Sequence, residues 1–162
     1  MNEIVVGVDL SQSARAAVTW AAGQARAMGQ TLQAVHAVGG SPALSRTLGM
    51  SGVPVPVAPS EIDAVYREAV AAVFDAIQPE PGWQLKFFAG DAGPALVGES
   101  VGAALLVVGT KDHVGIGRIV SGSVSHYCLS HAECPVVAVP AAPDHAADKD
   151  HDDPATDTLA HS

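Results

Sequence analysis

The sequence predicts a single α/β domain whose parallel sheet is covered by helices on both faces. Two short apolar runs rich in β-branched residues, 4-IVVGV-8 and 104-ALLVVG-109, are typical of strands buried on both sides. Segments with apolar residues at helical spacing separate such runs, and the resulting order is β-α-β-α-β-α-β-α-β. The chain has 162 residues, 48% of them hydrophobic, which suits one domain with a substantial core.

The first half of the chain contains two strands, a capped helix and a long connection. After the first strand, Ser11 or Ser13 can cap the helix that follows, and Gly29 can end it. The second strand is predicted at 32-LQAVHAV-38. Residues 39 to 59 are rich in Gly, Pro and Ser and show no period, which predicts a long, mobile surface loop.

A second helix is predicted from Ser60, with acids in its first turn. Its expected apolar stripe is Ile62, Val65, Ala69, Val73 and Ile77. The run 83-WQLKF-87 alternates apolar and polar residues, which indicates a half-exposed strand at an edge of the sheet. The remaining elements are a short helix around Leu96, Val97 and Val101, the strand 104–109, a helix from about Ser123 to His131, and a last strand at 135-PVVAVP-140.

The domain is expected to span residues 1–140, with a different kind of segment after it. Residues 141–162 carry six acids and one lysine, so −5 of the net charge of −9 lies there. With almost no large apolar side chains, this acidic, histidine-containing tail is predicted to be disordered. Its three histidines leave weak transition-metal binding as an alternative to a solvated tail.

Composition and charge exclude several classes of function. The eight Lys and Arg residues are scattered without a basic patch, so a nucleic-acid partner is not expected. No apolar stretch reaches about 18 residues, and the start MNEIVVGVD lacks the basic residues of a signal peptide. We therefore expect a cytoplasmic protein without a membrane partner.

Cys128, His131 and Cys134 stand at positions i, i+3 and i+6. This spacing allows metal ligands along one helix, but a single helix supplies too few ligands for a closed tetrahedral site. The alternative interpretation is a small buried thiol followed by a helix end. Two cysteines are also too few for a disulfide framework.

The glycine-rich segment 109-GTKDHVGIGRIVSGSVSH-126 joins a buried strand to a predicted helix. Such turns hold phosphate groups in many proteins, through free main-chain N–H groups and the helix dipole. Ligands of open α/β sheets bind beyond the carboxyl ends of strands, where the strand order reverses. If the first and fourth strands are neighbours, Asp9 and the glycine-rich segment face one another across such a crevice.

Five segments together resemble the universal stress protein family: VVGVDLSQSARAAVTWA, AVHAV, GDAGPAL, LLVVGT and GSVSHYCLSHAECPVVAVP. The resemblance covers residues 3 to 140. It implies a five-stranded sheet in the order 3-2-1-4-5, the adenine nucleotide alpha hydrolase-like fold. It also implies protein partners that the sequence does not identify, and a homodimer paired through the last strand, at Val136, Val137, Ala138 and Val139.

The nucleotide-binding members of this family resemble a pattern of Gly, two residues, Gly, nine residues, then Gly and Ser or Thr. Gly109 fills the first place here, and Gly122 with Ser123 fills the last. The second place holds Asp112 where the pattern has glycine. The spacing of the pattern is therefore intact, and one of its residues is changed.

The resemblance implies ATP, AMP or another adenine nucleotide as the ligand, with Mg²⁺ brought by the nucleotide. The acid at position 9 then lies by the ribose and the metal, and the main chain at position 37 meets adenine. Phosphates are held at the start of the helix after the glycine-rich segment. The implied binding residues are Gly7, Val8, Asp9, Ala37, Gly109, Thr110, Lys111, Asp112, Gly122, Ser123 and Val124, with Asp9 as the metal residue.

Asp112 bears on whether the nucleotide is still bound. Aspartate tolerates left-handed main-chain conformations, so the geometry of the turn need not fail. Its charge matters more, because a carboxylate about 4 Å from a polyphosphate is repelled by on the order of 1–4 kcal/mol. Lys111 can offset part of this, and a bound Mg²⁺ can recruit Asp112 as a ligand. Binding can therefore be retained, and the change that we expect from Asp112, if it has an effect, is weakened affinity or an altered nucleotide preference.

The resemblance favours a non-catalytic regulator that binds an adenine nucleotide in a stress response. A nucleotide-free dimeric adaptor that acts through protein partners is the alternative. An ATPase or phosphotransferase is less favoured, because the sequence lacks a Walker lysine motif and an obvious carboxylate pair for metal-assisted attack. His113 and His126 could act as acid and base, but a loop histidine and a helix-surface histidine are the simpler interpretation. We assign no catalytic residue.

Overall fold

A computed structural model describes residues 2–38, 53–110 and 123–141. The strands within these ranges are β1 (Glu3–Gly7), β2 (Thr31–Val38), β3 (Val55–Val57), β4 (Gln84–Ala89), β5 (Leu105–Thr110) and β6 (Val136–Pro140). The helices are α1 (Gln12–Met28), α2 (Ala64–Asp75), α3 (Ala92–Glu99) and α4 (Ser123–His131), with a 3-10 turn at Pro59–Glu61. The predicted alternation of strands and helices is confirmed.

The described strands form one sheet in the order β3-β4-β2-β1-β5-β6. β1 lies between β2 and β5, and all neighbouring strands are parallel except β3 and β4. The order 3-2-1-4-5 is therefore confirmed for β4, β2, β1, β5 and β6. The expectation of five strands is wrong, because β3 adds a sixth strand that runs antiparallel to β4.

β3 lies in the segment that we expected to be an irregular loop. Proline is tolerated in a strand at a sheet edge, where its missing N–H is not needed for pairing. Pro56 lies opposite Phe88, between the pairs that Val55 and Val57 make with β4. β4 therefore has a strand on both sides, and the prediction that it forms the sheet edge is wrong. The rest of the predicted loop, residues 39–52, lies outside the described ranges.

Helices cover both faces of the sheet, because successive residues of each strand point to opposite sides. Val6 of β1 packs on one side with Val18 of α1 and Val70 of α2. The second face is covered by α3 and α4, in a cluster of Val5, Val35, Phe88, Ala95, Leu96, Leu106, Val108 and Cys128. None of the helices in the described ranges has the length and apolar character that crossing a membrane requires.

The ends of α1 follow the prediction. Ser11 is the N-cap, and its Oγ accepts the N–H of Ala14 at 3.2 Å. Gly29 ends the helix in the left-handed conformation, with φ of 64°, and Gln30 N–H bonds back to the carbonyl of Ala25 at 2.8 Å. Glycine adopts this conformation without the steric cost that a Cβ would bring.

α2 begins later than predicted. Pro59–Glu61 forms a separate 3-10 turn, and the helix starts at Ala64 instead of near Ser60. Asp63 is its N-cap, and its Oδ1 accepts the N–H of Tyr66 at 3.1 Å. Asp63, which we expected inside the first turn, therefore lies just before the helix and accepts one of the free N–H groups of that turn.

The apolar stripe predicted for α2 is only partly correct. Ile62 and Ile77 lie outside the helix, and Val65 is 78% exposed. Val101 likewise follows the end of α3 and is 61% exposed. The large ring at position 74 buries more apolar surface than Ala69 could, so the helix faces the sheet with that side. The buried residues of α2 are Val70, Val73 and Phe74.

The end of α1 is tied to the connection between α2 and β4. Arg26 Nη2 donates to the carbonyl oxygens of Ile77 at 2.7 Å and Gln78 at 2.9 Å. Its Nε donates to Glu80 Oε1 at 2.9 Å, and its guanidinium lies 4.9 Å from the ring centroid of Trp83. Gln78 has a positive φ of 53°, so Arg26 holds the carbonyl groups of a turn with an unusual conformation.

Candidate functional site

The carboxyl ends of β1 and β5 lie side by side where the strand order reverses. β1 pairs in parallel with β5 on one side, Val6 opposite Val107, and with β2 on the other. The chain runs from β1 outward to β2 and β4, then returns to β5 and β6 on the opposite side. Such a reversal opens a crevice beyond the strands. We refer to the residues at these strand ends as the carboxyl-end site: Gly7, Val8, Asp9, Gly109 and Thr110.

Asp9 follows β1, and its carboxylate is held at the start of α1. The main-chain N–H of Ser11 donates to Asp9 Oδ1 at 2.6 Å, an arrangement that Asp commonly forms with the residue two positions later. Ser11 Oγ lies 3.2 Å from Ser13 Oγ as well as capping the helix. One carboxylate oxygen therefore orients the turn, and the side chain as a whole is half-buried beside the site.

At Gly109, β5 lies in close contact with the start of α1. A Cβ at this position would lie 2.6 Å from both the carbonyl carbon and the oxygen of Ser13, and 2.9 Å from the nitrogen of Ala14. These atoms belong to the main chain, so the neighbour cannot move aside easily. Packing against α1 by itself thus requires glycine here, whether or not a phosphate binds.

The main-chain N–H and C=O of Ala37 point to the β1 side of the sheet, at a level beyond the end of β1. In a parallel sheet, alternate residues of a strand bond to alternate neighbours. Val35 O accepts the N–H of Val8 at 2.9 Å on the β1 side, and Val38 O accepts that of Gly90 at 3.1 Å on the β4 side. Ala37 therefore directs its N–H and C=O toward β1, whose last pair is Gly7 with Val35.

His36 is the part of this region that the sequence did not predict. The residue is 2% exposed, and Nδ1 lies 2.7 Å from the carbonyl oxygen of Val8. Because a carbonyl only accepts, Nδ1 carries the proton and donates it. The ring packs against Tyr66 and Phe87, with centroid distances of 5.3 and 5.9 Å. A polar ring inside the apolar run 32-LQAVHAV-38 was a signal that a partner had to be found for it.

The remaining predicted residues fall into two groups. Val124 packs against the core cluster under α4, a helix that begins at Ser123 and contacts α3 and β5. His126 is exposed on the same helix. The structure thus brings the carboxyl-end site together and places Ala37 on the neighbouring strand. The predicted positions that lie outside the described residues are Lys111, Asp112, His113 and Gly122.

Cys128, His131 and Cys134 do not form a metal centre. Burial, and to a lesser degree the nearby Cys134, raises the pKa of the Cys128 thiol to about 11, so the thiol is protonated at neutral pH. The His131 ring stacks on Tyr127 at 4.0 Å, and its Nδ1 lies 2.9 Å from the Tyr127 carbonyl oxygen. In the part of the chain that the structure describes, no group of three or more His, Cys, Asp or Glu side chains could hold a metal ion.

The chain is similar in sequence to known proteins of one family. The sequence model of the Universal stress protein family matches residues 1–140. The universal stress proteins Rv2623 and MT2698, from the H37Rv and CDC 1551 strains of Mycobacterium tuberculosis, are each 34% identical over 148 residues. These matches cover 84% of this chain and 46% of each relative. The chain therefore spans about half the length of these curated relatives.

Solved structures of the family share the fold. A universal stress protein crystallised in complex with cAMP is 26% identical with a TM-score of 0.55, covering 85% of this chain and 95% of its own. One from Burkholderia pseudomallei is 26% identical with a TM-score of 0.57, covering 86% and 96%. One from Archaeoglobus fulgidus, in complex with dAMP, is 19% identical with a TM-score of 0.55, covering 86% and 98%, a likeness in fold alone. The chain belongs to the universal stress protein family.

Proposed function

We propose that the chain binds an adenine nucleotide at the carboxyl-end site and acts as a non-catalytic regulator in a stress response. The observation that carries this proposal is the main chain of Ala37, which faces the open end of β1 at the point where the strand order reverses. The relative crystallised with cAMP adds support, because it shares 26% of its residues with this chain.

The groups at the site match the three parts of a nucleotide. The edge of an adenine ring offers a donor beside an acceptor, which complements the N–H and C=O of Ala37. Asp9 brings a carboxylate that can accept hydrogen bonds from ribose hydroxyl groups. The N-terminus of α4, at Ser123 and Val124, has the free N–H groups and the dipole that favour a phosphate.

A nucleotide that carries Mg²⁺ also fits these residues. Mg²⁺ takes oxygen ligands, usually one or two carboxylates together with phosphates and water. Asp9 Oδ1 already accepts the N–H of Ser11, which leaves the other carboxylate oxygen to approach the ion. We propose ATP, with or without Mg²⁺, as one candidate ligand and AMP as another.

A calorimetric titration with AMP, cAMP and ATP, with and without Mg²⁺, tests the proposal. Asp9→Asn keeps an acceptor for Ser11 but removes the charge, and it should weaken binding about tenfold, as expected for a hydrogen bond to a charged group. The matched control is Asp91→Asn, at the end of β4, because Asp91 makes no side-chain capping bond to α3. If all three nucleotides give no heat with the wild-type protein, the proposal is wrong.

Asp112 gives a second test, because its carboxylate replaces the second glycine of the family pattern. Asp112→Gly should tighten ATP binding about tenfold by removing a negative charge near the phosphates. The gain should be smaller for AMP and should shrink at high salt. Weaker binding of ATP in the variant, only when Mg²⁺ is present, would instead assign Asp112 as a magnesium ligand.

A nucleotide-free adaptor is the second candidate function, and Gly109 is the observation that favours it. The contact with Ser13 explains this glycine without any ligand. A chain that had lost its nucleotide would therefore still need glycine there. Pull-down experiments with and without added ATP separate the candidates, since a nucleotide-dependent regulator changes partners and an adaptor does not.

We further propose that two copies pair through β6. In the described sheet β6 has β5 on one side and no strand on the other. Pro135 O accepts the N–H of Leu106, so alternate residues, including Ala138, direct their main-chain groups outward. Ala138→Pro should therefore halve the mass measured by light scattering without breaking the β5–β6 pairing. A wild-type protein that is monomeric at micromolar concentration would exclude this dimer.

A further inference from the structure

We propose that His36 is a positioning residue of the nucleotide site. Its Nδ1–H holds the end of β1 against β2 and so sets the position of Asp9 relative to the main chain of Ala37. This inference rests on the proposed function, because it concerns the same site.

His36 stands where the two halves of the proposed site join. It precedes Ala37 in β2, and Nδ1 lies 2.7 Å from the carbonyl oxygen of Val8, the residue before Asp9. One hydrogen bond therefore connects the strand that would meet adenine with the residue just before the one that would meet ribose. A shift of the Val8 carbonyl would move Asp9 directly, since the two residues share a peptide bond.

The β1–β2 ladder ends just before this contact. Gly7 pairs with Val35, and Val8 N–H bonds to Val35 O at 2.9 Å, after which the chain turns toward α1. The Val8 carbonyl is thus tied to β2 by the side chain of His36. Loss of that tie would loosen the turn at Asp9 while leaving the ladder of β1 and β2 in place.

Packing alone does not account for a histidine at this position. The ring is buried between Tyr66 and Phe87, where an apolar side chain would also pack. Its Nε2 is buried and has no hydrogen-bond partner among the described residues of the protein. A buried acceptor without a partner is unfavourable, and an apolar residue would avoid it. The Nδ1–H bond to Val8 is the interaction that only a donor can make.

Two variants separate the hydrogen bond from the packing. Asn places an N–H close to the position of Nδ1, whereas Leu has a similar shape without a donor. We expect His36→Leu to raise the Kd for AMP about tenfold and His36→Asn to stay within about twofold of the wild type. Val70→Ala, on the same core face in α2, controls for a general loss of stability and should leave the Kd unchanged.

The outcomes distinguish this inference from the proposed function. If the wild type binds AMP and both His36 variants bind it equally well, His36 does not position the site, and the proposed function stands. Equal weakening in His36→Leu, His36→Asn and Val70→Ala would also overturn the inference, because it would indicate a loss of stability only. If the wild type binds no adenine nucleotide, the proposed function is wrong and the inference falls with it.

A spectroscopic measurement on the wild type does not depend on any variant folding. In nitrogen-15 spectra of the histidine side chains, the ring that contacts Tyr66 and Phe87 is His36, and it should carry its proton on Nδ1. The signals of that ring should shift when AMP is added to saturation. A proton on Nε2, or ring signals that do not change on saturation, would overturn the inference.

Discussion

The two ends of α1 differ in how fully the polar groups around them are hydrogen-bonded. At its C-terminal end, Arg26 makes three hydrogen bonds and stacks on Trp83, and Gly29 closes the last turn. At its N-terminal end, polar groups face the open end of β1, including the main chain of Ala37. Folding favours satisfied polar groups, so a region that leaves some available is the one suited to bind a ligand.

Gly109→Ala should give the largest effect, because it places a Cβ against main-chain atoms at the start of α1. The new Cβ would lie 2.6 Å from main-chain atoms of Ser13, so α1 and β5 must separate. We expect a loss of about 2–3 kcal/mol in the free energy of unfolding, in the range of overpacked cores, together with weaker nucleotide binding. Urea denaturation measures the first effect and calorimetric titration the second. Unchanged stability would show that Gly109 does not set this contact.

Arg26→Ala should lower the free energy of unfolding by about 2 kcal/mol, since hydrogen bonds from a charged donor to carbonyl groups and a stacked ring are lost together. Nucleotide affinity should not change, because the substitution lies at the closed end of α1. Arg15→Ala is the control, as Arg15 is exposed on the same helix. A matching loss of affinity in Arg26→Ala would contradict the division of α1 into two independent ends.

Ser11→Ala removes the N-cap of α1 but keeps the main-chain N–H that orients Asp9. We expect a loss of about 1 kcal/mol in the free energy of unfolding, typical for a capping side chain. Thermal melts compare it with Thr19→Ala, whose hydroxyl bonds to the Arg15 carbonyl on the exposed side of the same helix and should matter less. Equal effects of the two substitutions would mean that capping contributes little here.

Gly23→Ala is the smallest expected effect and has the opposite sign. A Cβ at Gly23 meets no atom within 4 Å beyond its chain neighbours and the backbone of its own helix, and the residue lies inside α1. Alanine in a helix interior is favoured over glycine by about 0.5–1 kcal/mol, so the melting temperature should rise slightly. The contrast with Gly109→Ala tests whether the cost at position 109 comes from contact with Ser13. A similar loss at both positions would refute that explanation.

Most of the fold could be predicted because its signals are local. A strand buried on both faces leaves an apolar run such as 4-IVVGV-8, and the caps Ser11 and Gly29 act within a few residues of themselves. β3 could not be predicted in this way, since three residues with a central proline carry no periodic signal. Its strand geometry comes from the exposed edge of β4, which the sequence of β3 does not encode.

In the candidate site, too, the residues with a local sequence signal could be predicted and the contacts between distant segments could not. Asp9 and Gly109 were predicted from a motif; Asp9 follows β1, Gly109 lies in β5, and the two strands are adjacent, as expected. The contact of Gly109 with Ser13 depends on how closely α1 approaches β5, which no local pattern reports. His36 was missed because its partner, the Val8 carbonyl, lies 28 residues earlier in the chain. Such a pairing becomes visible only when the neighbouring strands and their register are known.

β3 also limits how the sheet can grow. Gly90 N–H bonds to Val38, so the alternate residues Phe87 and Ala89 face β3 and pair with its two valines. Pro56, between them, directs its backbone outward and has no N–H to offer to a further strand. Among the described strands, β3 therefore lacks the outward N–H at Pro56 that pairing with a further strand would use. β6 is the edge that can add a strand. The association through β6 that we propose would therefore close at two copies, because the described strands offer no second edge from which a continuous fibre of sheets could extend.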